Sequence, residues 1–257
     1  MAIFKLKSST VTIISICVLT AIILCSIFVV NFYPAVRPVG GFSNIPICSV
    51  DSDVKRVAVT FDCVTFNDDV DRIIKVLNEC QVKGTFFVTG EKVKDNKDLL
   101  VKINNMGHDI GNMTYSYGSL GDASTNVIKN EIQECNAVIK EVTGVVCNLF
   151  RAPYDDYGKN TVKIAGNMGM YSVRYDVDAL SWKVEMSKDI IIDRIINNTK
   201  PGSIIVFRTD GYYTTDILFE TISRLKMQGY EFLPVSEMII RNNFIIDYKG
   251  VQAASSN

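Results

Sequence analysis

The order of short apolar runs and amphipathic segments constrains this chain more than any other feature. Val57 to Phe61 is a Val-rich run of strand length. Val70, Ile73, Ile74 and Leu77 follow at i, i+3, i+4 and i+7, the spacing of one helical face. Thr85 to Val88 predicts a second strand, and Leu99, Leu100, Ile103 and Met106 predict a helix ended by Gly107. Ser124 or Thr125 is placed to cap a helix carrying Ile128, Ile132, Cys135, Ile139 and Val142, with Gly144 after it. Leu149 and Phe150 begin a strand that stops at Pro153, a short helix covers 160–167, and 170–177 predicts another strand. Ser187 caps a helix with Ile191 and Ile195, and Pro201–Gly202 turns into the run Ser203 to Phe207. A last strong helix has Ile217, Leu218, Thr221, Ile222 and Leu225, and Tyr230 to Val235 predicts a final strand. Such alternation predicts a mostly parallel sheet with helices outside. About seven units over residues 57–239 fit an open doubly wound sheet or a barrel, and periodicity does not separate them. In both, function gathers at the carboxyl ends of the strands.

Ahead of this region lies an apolar span. Lys5 and Lys7 precede it, and no charge follows until Arg37. From Val11 to Tyr33 nearly every residue is apolar or small, enough for the ~20 residues that cross a bilayer. A cleavable signal has a shorter apolar region, ~7–15 residues, with a small-x-small site after it. The expectation is an uncleaved, single-pass anchor over 11–33, with residues 1–10 cytoplasmic and the rest extracytoplasmic. Residues 34–56, with Pro34, Pro38, Gly40, Gly41 and Pro46, read as a linker and entry segment. A domain over 57–240 and an unassigned tail over 241–257 complete the division.

Charge adds an exclusion. With 27 basic and 28 acidic residues and no basic cluster, the chain lacks a nucleic-acid footprint. Cys17 and Cys25 lie in the apolar span. Cys48, Cys63, Cys80, Cys135 and Cys147 form no CxxC and read as small buried hydrophobes rather than a structural zinc site.

Four strand ends carry polar or aromatic groups. Asp62 and Cys63 follow the first strand, and Arg151, Pro153, Tyr154 and Asp155 follow a later one. Asp176, Asp178 and Trp182 follow another, and Arg208 and Asp210 follow Ile204 to Phe207. A carboxylate directly after an apolar strand is partly desolvated and needs a partner; Arg151 is the candidate for Asp62.

These segments carry a family resemblance. "VAVTFDC", "GTFFVTGEKV" with "MGHDIGNMTYSYGSL", "FRAPYDDYG", "DVDALSWK" and "PGSIIVFRTDG" resemble, in order, the five motifs of the polysaccharide deacetylase (NodB-homology) family. The resemblance spans 57–239. With the anchor and the entry "IPICSVDSDVKRVAVTFD", it looks like the sporulation-associated branch in spore-forming Gram-positive bacteria. It implies a distorted (β/α)7-8 barrel and removal of acetyl groups from a sugar polymer. A divalent metal such as zinc, held by an aspartate and two histidines, would polarise the carbonyl and activate water. A base aspartate and an acid histidine would complete the reaction.

Matched residue by residue, the resemblance puts the base at Asp62, the arginine that steadies it at Arg151, and the aspartate that tunes the acid at Asp178. Tyr154 keeps the third-motif tyrosine, but its glycine is Asp155. The three metal positions fall on Cys63, Met113 and Tyr117, the aspartate before Trp182 is Ser181, and the acid histidine is Arg208. The sole histidine, His108, precedes the second motif and reads as packed or surface. One thiolate and one carboxylate fall short of three good zinc ligands, so no cofactor is expected. Losing a catalytic metal costs several kcal/mol of transition-state stabilisation, and each 1.36 kcal/mol is tenfold in rate.

Three functions compete on this reading. The first is a catalytically degenerate, wall-facing protein that binds peptidoglycan or another N-acetylated glycan, or a protein partner. Its groove would be lined by Tyr154, Trp182, Tyr212 and Tyr213, with Arg208 beside it. The second is an active deacetylase using Asp62 as base and Cys63 as ligand or nucleophile. The third is a membrane scaffold with no glycan role.

Overall fold

The computed structural model describes residues 44–66 and 68–255, together with Thr20. The expected cytoplasmic segment, the remainder of the apolar span and residues 34–43 lie outside the described residues. Among the described residues no helix is long and apolar enough to cross a membrane.

Strands β1 (Ser49–Val50) and β2 (Arg56–Cys63) lead into helix α1 (Asp68–Glu79). Then come β3 (Thr85–Val88), α2 (Gly90–Asp95), α3 (Lys97–Asn105) and β4 (Asp109–Asn112). Helix α4 (Thr125–Thr143) precedes β5 (Leu149–Phe150), α5 (Thr161–Asn167), β6 (Tyr171–Ser172) and β7 (Val177–Asp178). The chain continues through α6 (Lys188–Asn198), β8 (Ile204–Arg208), α7 (Thr214–Met227), β9 (Glu231–Phe232) and α8 (Val235–Met238). It ends on β10 (Phe244–Ile246) and β11 (Val251–Ala254).

Helix faces follow the predicted spacing. Val70, Ile73, Ile74 and Leu77 of α1 are all buried. The Ser124 side chain accepts from Val127 N at the start of α4, and Gly144 closes that helix at φ 75°. Ser187 does the same for Ile190 N ahead of α6. Each such cap is worth about 1 kcal/mol.

The main sheet is parallel in the order β6-β5-β4-β3-β2-β8-β7, with β9 beside the start of β2. Its two edge strands are consecutive in the chain. From Ser172 to Val177 the backbone reaches at most about 18 Å. A flat sheet would hold the edges about 29 Å apart at 4.8 Å per strand. The sheet therefore curls into a half-barrel with its helices outside. The predicted strand 170–177 is two strands for this reason: Tyr171–Ser172 pairs with β5, and Val177–Asp178 pairs with β8 on the far edge.

The entry segment bridges this gap. Ile47 N donates to Ser172 O, Arg174 N donates to Ile47 O, and Val50 N donates to Gly202 O. β1 pairs with β11, which pairs with β10, so residues of the tail form a small second sheet with the entry. The predicted final strand is also shorter: Pro234 turns the chain after Phe232, and Val235 begins α8.

Strand alternation separates two cores. Val57, Val59, Phe61 and Cys63 of β2 pack against the helices. Ala58 packs inside the curl with Ile47, Phe87, Met113, Leu149 and Val173.

His108 is a buried member of this framework. Its Nδ1 accepts from Gly84 N at 3.1 Å, and its ring meets Phe86 edge-on at 5.3 Å. Burial, with Lys83 adding to it, lowers its pKa from 6.5 to about 4. Between these values the unfolded chain binds the proton more tightly, so stability is full above pH 6.5 and falls as pH drops towards 4. The expected loss from pH 7 to 4.5 is about 2 kcal/mol. His108→Asn keeps an acceptor for Gly84 and removes the titration; urea unfolding of both proteins at the two pH values should show a flatter acid limb for the variant.

Candidate functional site

Asp62 stands at the carboxyl end of β2, in register with Phe87 of β3 and Arg208 of β8. Arg151, which follows β5, reaches it across the curl. Its Nη1 donates to Asp62 Oδ1 at 2.8 Å and to Thr60 Oγ1 at 3.0 Å. Its Nε donates to Val173 O at 3.1 Å, and its Nη2 donates to Arg174 O at 2.8 Å. The guanidinium lies 4.0 Å from the Phe87 ring centroid. A fully buried arginine thus has its donors and its face engaged, which fixes Asp62 in turn. Burial raises the Asp62 pKa, and the Arg151 charge and hydrogen bond oppose that rise.

Asp178 ends β7, and its Oδ1 accepts from Leu180 N at 2.8 Å. Burial raises its pKa, the Leu180 N–H lowers it, and the nearby Asp62 charge adds a smaller upward push. Arg208 ends β8 and clasps Asp210 in a two-point pair, Nε to Oδ1 at 2.9 Å and Nη2 to Oδ2 at 2.8 Å. That pairing holds it charged.

Two loops close over the pair. After β4, the Glu131 carboxylate of α4 accepts from Tyr115 N, Ser116 N and Ser116 Oγ, and Thr114 and Tyr117 take positive φ. Tyr117 is thereby set against Tyr154, with ring centroids 4.6 Å apart. Tyr154 and Asp155 also have positive φ, at 57° and 60°. Asp155 holds this strained turn by accepting from Arg174 Nε and Tyr175 Oη, both at 2.8 Å. Arg174 and Tyr175 escaped the sequence reading because only the crossing from β6 to β7 brings them to Asp155.

At the rim, Tyr154, Trp182 and Tyr212 are exposed, and Tyr213 stands edge-on to Tyr212 at 4.7 Å. Ser181, beside Trp182, is buried and shares a 2.6 Å hydrogen bond with Thr214 Oγ1, which donates to Arg208 O. The Trp182 loop is thus tied to β8 and α7.

The donor set does not fit a divalent metal. Cys63 projects to the helix side of the sheet, opposite Asp62, and is fully buried. Burial, with Asp62 adding to it, holds its thiol pKa well above 9.0. Turned into the outer core and away from Asp62, the Cys63 thiol is out of place for the ligand or nucleophile role offered above. Met113 is buried in the inner core, and burial pushes the Tyr117 hydroxyl up to about 12. Among the described residues no three His, Cys, Asp or Glu side chains converge to hold a metal ion. What the site offers is an anchored carboxylate, a clasped guanidinium and an aromatic rim, which is recognition chemistry for a polar ligand with apolar faces.

The polysaccharide deacetylase family model matches residues 49–173. A peptidoglycan-N-acetylglucosamine deacetylase of Bacillus cereus is 31% identical over 187 residues, covering 71% of this chain and 68% of that one. A family 4 carbohydrate esterase pseudoenzyme of Bacillus anthracis matches in structure with a TM-score of 0.73 at 26% identity, over 84% of this chain and 74% of that one. A mutant of that pseudoenzyme with restored enzymatic activity gives a TM-score of 0.73 at 28% identity, over 78% and 73%. On sequence and fold together, the chain belongs to the polysaccharide deacetylase family.

Proposed function

We propose that this protein is a membrane-anchored, wall-facing member of its family that binds an N-acetylated glycan, peptidoglycan first, without deacetylating it. Residues 11–33 form the single-pass anchor, the distorted barrel lies outside the cytoplasm, and the wall in question is that of a sporulating cell. The observation that carries the reading is the orientation of Cys63. Of the three metal positions, the thiol has its place in the outer core, and the other two carry a buried thioether and a phenol whose pKa burial pushes up to about 12. Asp62 alone, committed to Arg151, lacks the Lewis acid that this family's chemistry relies on. That a Bacillus anthracis relative is a pseudoenzyme supports the same reading.

The glycan would lie against Tyr154, Trp182 and Tyr212, whose exposed rings offer apolar faces on loops that leave the carboxyl ends of the strands, where Asp62 and Arg208 also stand. Full-length protein in detergent, given peptidoglycan and chitin oligomers, should release no acetate and should pellet with peptidoglycan. Trp182→Ala should weaken pelleting by about 1–2 kcal/mol, roughly 5–30-fold, the scale of an aromatic anchor. Stoichiometric metal with acetate release would sink the proposal.

A further inference from the structure

The hairpin formed by β10 and β11 lies away from the site residues, and its outer face carries exposed Ile245, half-buried Val251 and Ala253, and the exposed Asp247 carboxylate. Ile245 is 57% exposed and Tyr248 80% exposed. Ile245 is in register with Ala253, and Val251 lies two residues from Ala253 on the same face. Inside the turn, Asp247 Oδ1 accepts from Lys249 N and Val251 N, both at 2.8 Å. Lys249 Nζ lies 5.5 Å from the Tyr248 ring centroid. An exposed aliphatic residue and an aromatic–cation pair on one short hairpin suit the boundary between lipid headgroups and chains.

The path of the chain says what this face meets. Cys48 N donates to Gly250 O at 2.8 Å, so the hairpin turn sits on the entry segment. Only residues 34–43 separate the apolar span from Asn44, and from Tyr33 to Asn44 the backbone reaches at most roughly 40 Å. The hairpin is thus beside the point where the tether enters the domain. A segment of at most that reach keeps the domain close to the bilayer, so a small patch suffices for contact.

Resting on the anchored reading above, we infer that the hairpin Phe244–Ala254 docks on the bilayer surface through Ile245, Tyr248 and Lys249. Docking would fix which face of the domain meets the membrane.

The test uses full-length protein in nanodiscs of phosphatidylcholine with phosphatidylglycerol. Trp182→Phe removes the sole tryptophan, and Tyr248→Trp places an indole on the hairpin. Circular dichroism should match the parent, since the hairpin position is exposed. In lipids brominated near the ester end of the chains, the depth of roughly 5–10 Å that interfacial residues reach, emission should fall about twofold. Unchanged emission from protein that still fractionates with the discs overturns docking and leaves the anchor intact. Protein that fails to enter the discs overturns both readings. Concentration-dependent self-association with a blue shift but no bromine quenching assigns the face to a second copy and overturns the lipid partner.

Discussion

Arg151→Met should cost about 3–5 kcal/mol of folding stability, the range for breaking a buried ion pair by removing one member. In a domain of this size that lowers the melting temperature by roughly 6–20 °C. The side chain is 1% exposed, so the loss is not shared with solvent. Its four hydrogen bonds join β2 to the loop after β6, and its loss leaves the buried Asp62 carboxylate without its cation. Methionine restores volume over Phe87 but no donor. Asp62 then keeps its burial without its cation, and its pKa rises further. A carboxyl whose folded pKa is raised loses stability as pH climbs through that value. The deficit of the variant should therefore be smallest at or below pH 4 and grow as pH rises above it. Asp62→Leu with Arg151→Met should recover much of the loss, because removing both members of a buried pair is close to neutral. A double-variant loss equal to the sum of the Arg151→Met and Asp62→Leu losses, read by urea unfolding, would show that the pair itself carries no coupling.

The same pair marks what was legible in the sequence. Asp62 and Arg151 each follow an apolar run, and desolvation alone predicts that such groups find one another. The turn from strand to site was therefore readable. The orientation of Cys63 was readable too, since Val57, Val59, Phe61 and Cys63 share one face at period two. Motif matching set that alternation aside and made Cys63 a ligand position. Other features had no local signal. The stretch 170–177 runs through alternating side chains with no glycine or proline, so nothing in it announces a crossing from one sheet edge to the other. The contacts of Asp155 with Arg174 and Tyr175 exist only because of that crossing. Strands β1, β10 and β11 have two to four residues, too few for periodicity to register. Their pairing depends on tertiary placement rather than propensity.

Gly202→Ala should be the most damaging glycine-to-alanine substitution among the described residues, and Gly144→Ala supplies its control. Both glycines sit at positive φ, 81° and 75°. Alanine there costs about 1–2 kcal/mol in either place, from its own backbone. At Gly144 an added Cβ meets nothing within 4 Å. At Gly202 it would lie 1.7 Å from Val50 O and 2.8 Å from Val50 C, both backbone atoms with no rotamer to escape through. Val50 N also donates to Gly202 O at 2.9 Å, so the clash falls on the bond that seats β1. The expected outcome is a loss of about 1–2 kcal/mol for Gly144→Ala and at least about 3 kcal/mol for Gly202→Ala, the excess being overpacking against fixed atoms. Equal urea midpoints would mean that β1 yields without cost. The consequence extends to the site, because Ile47, just ahead of β1, accepts from Arg174 N, and Arg174 holds Asp155 in its strained turn. Limited proteolysis should therefore cut both the entry segment and the Asp155 loop faster in Gly202→Ala than in Gly144→Ala. Faster cutting at the entry alone would show that the site is held by Arg151 and Glu131 without help from the strand that bridges the gap.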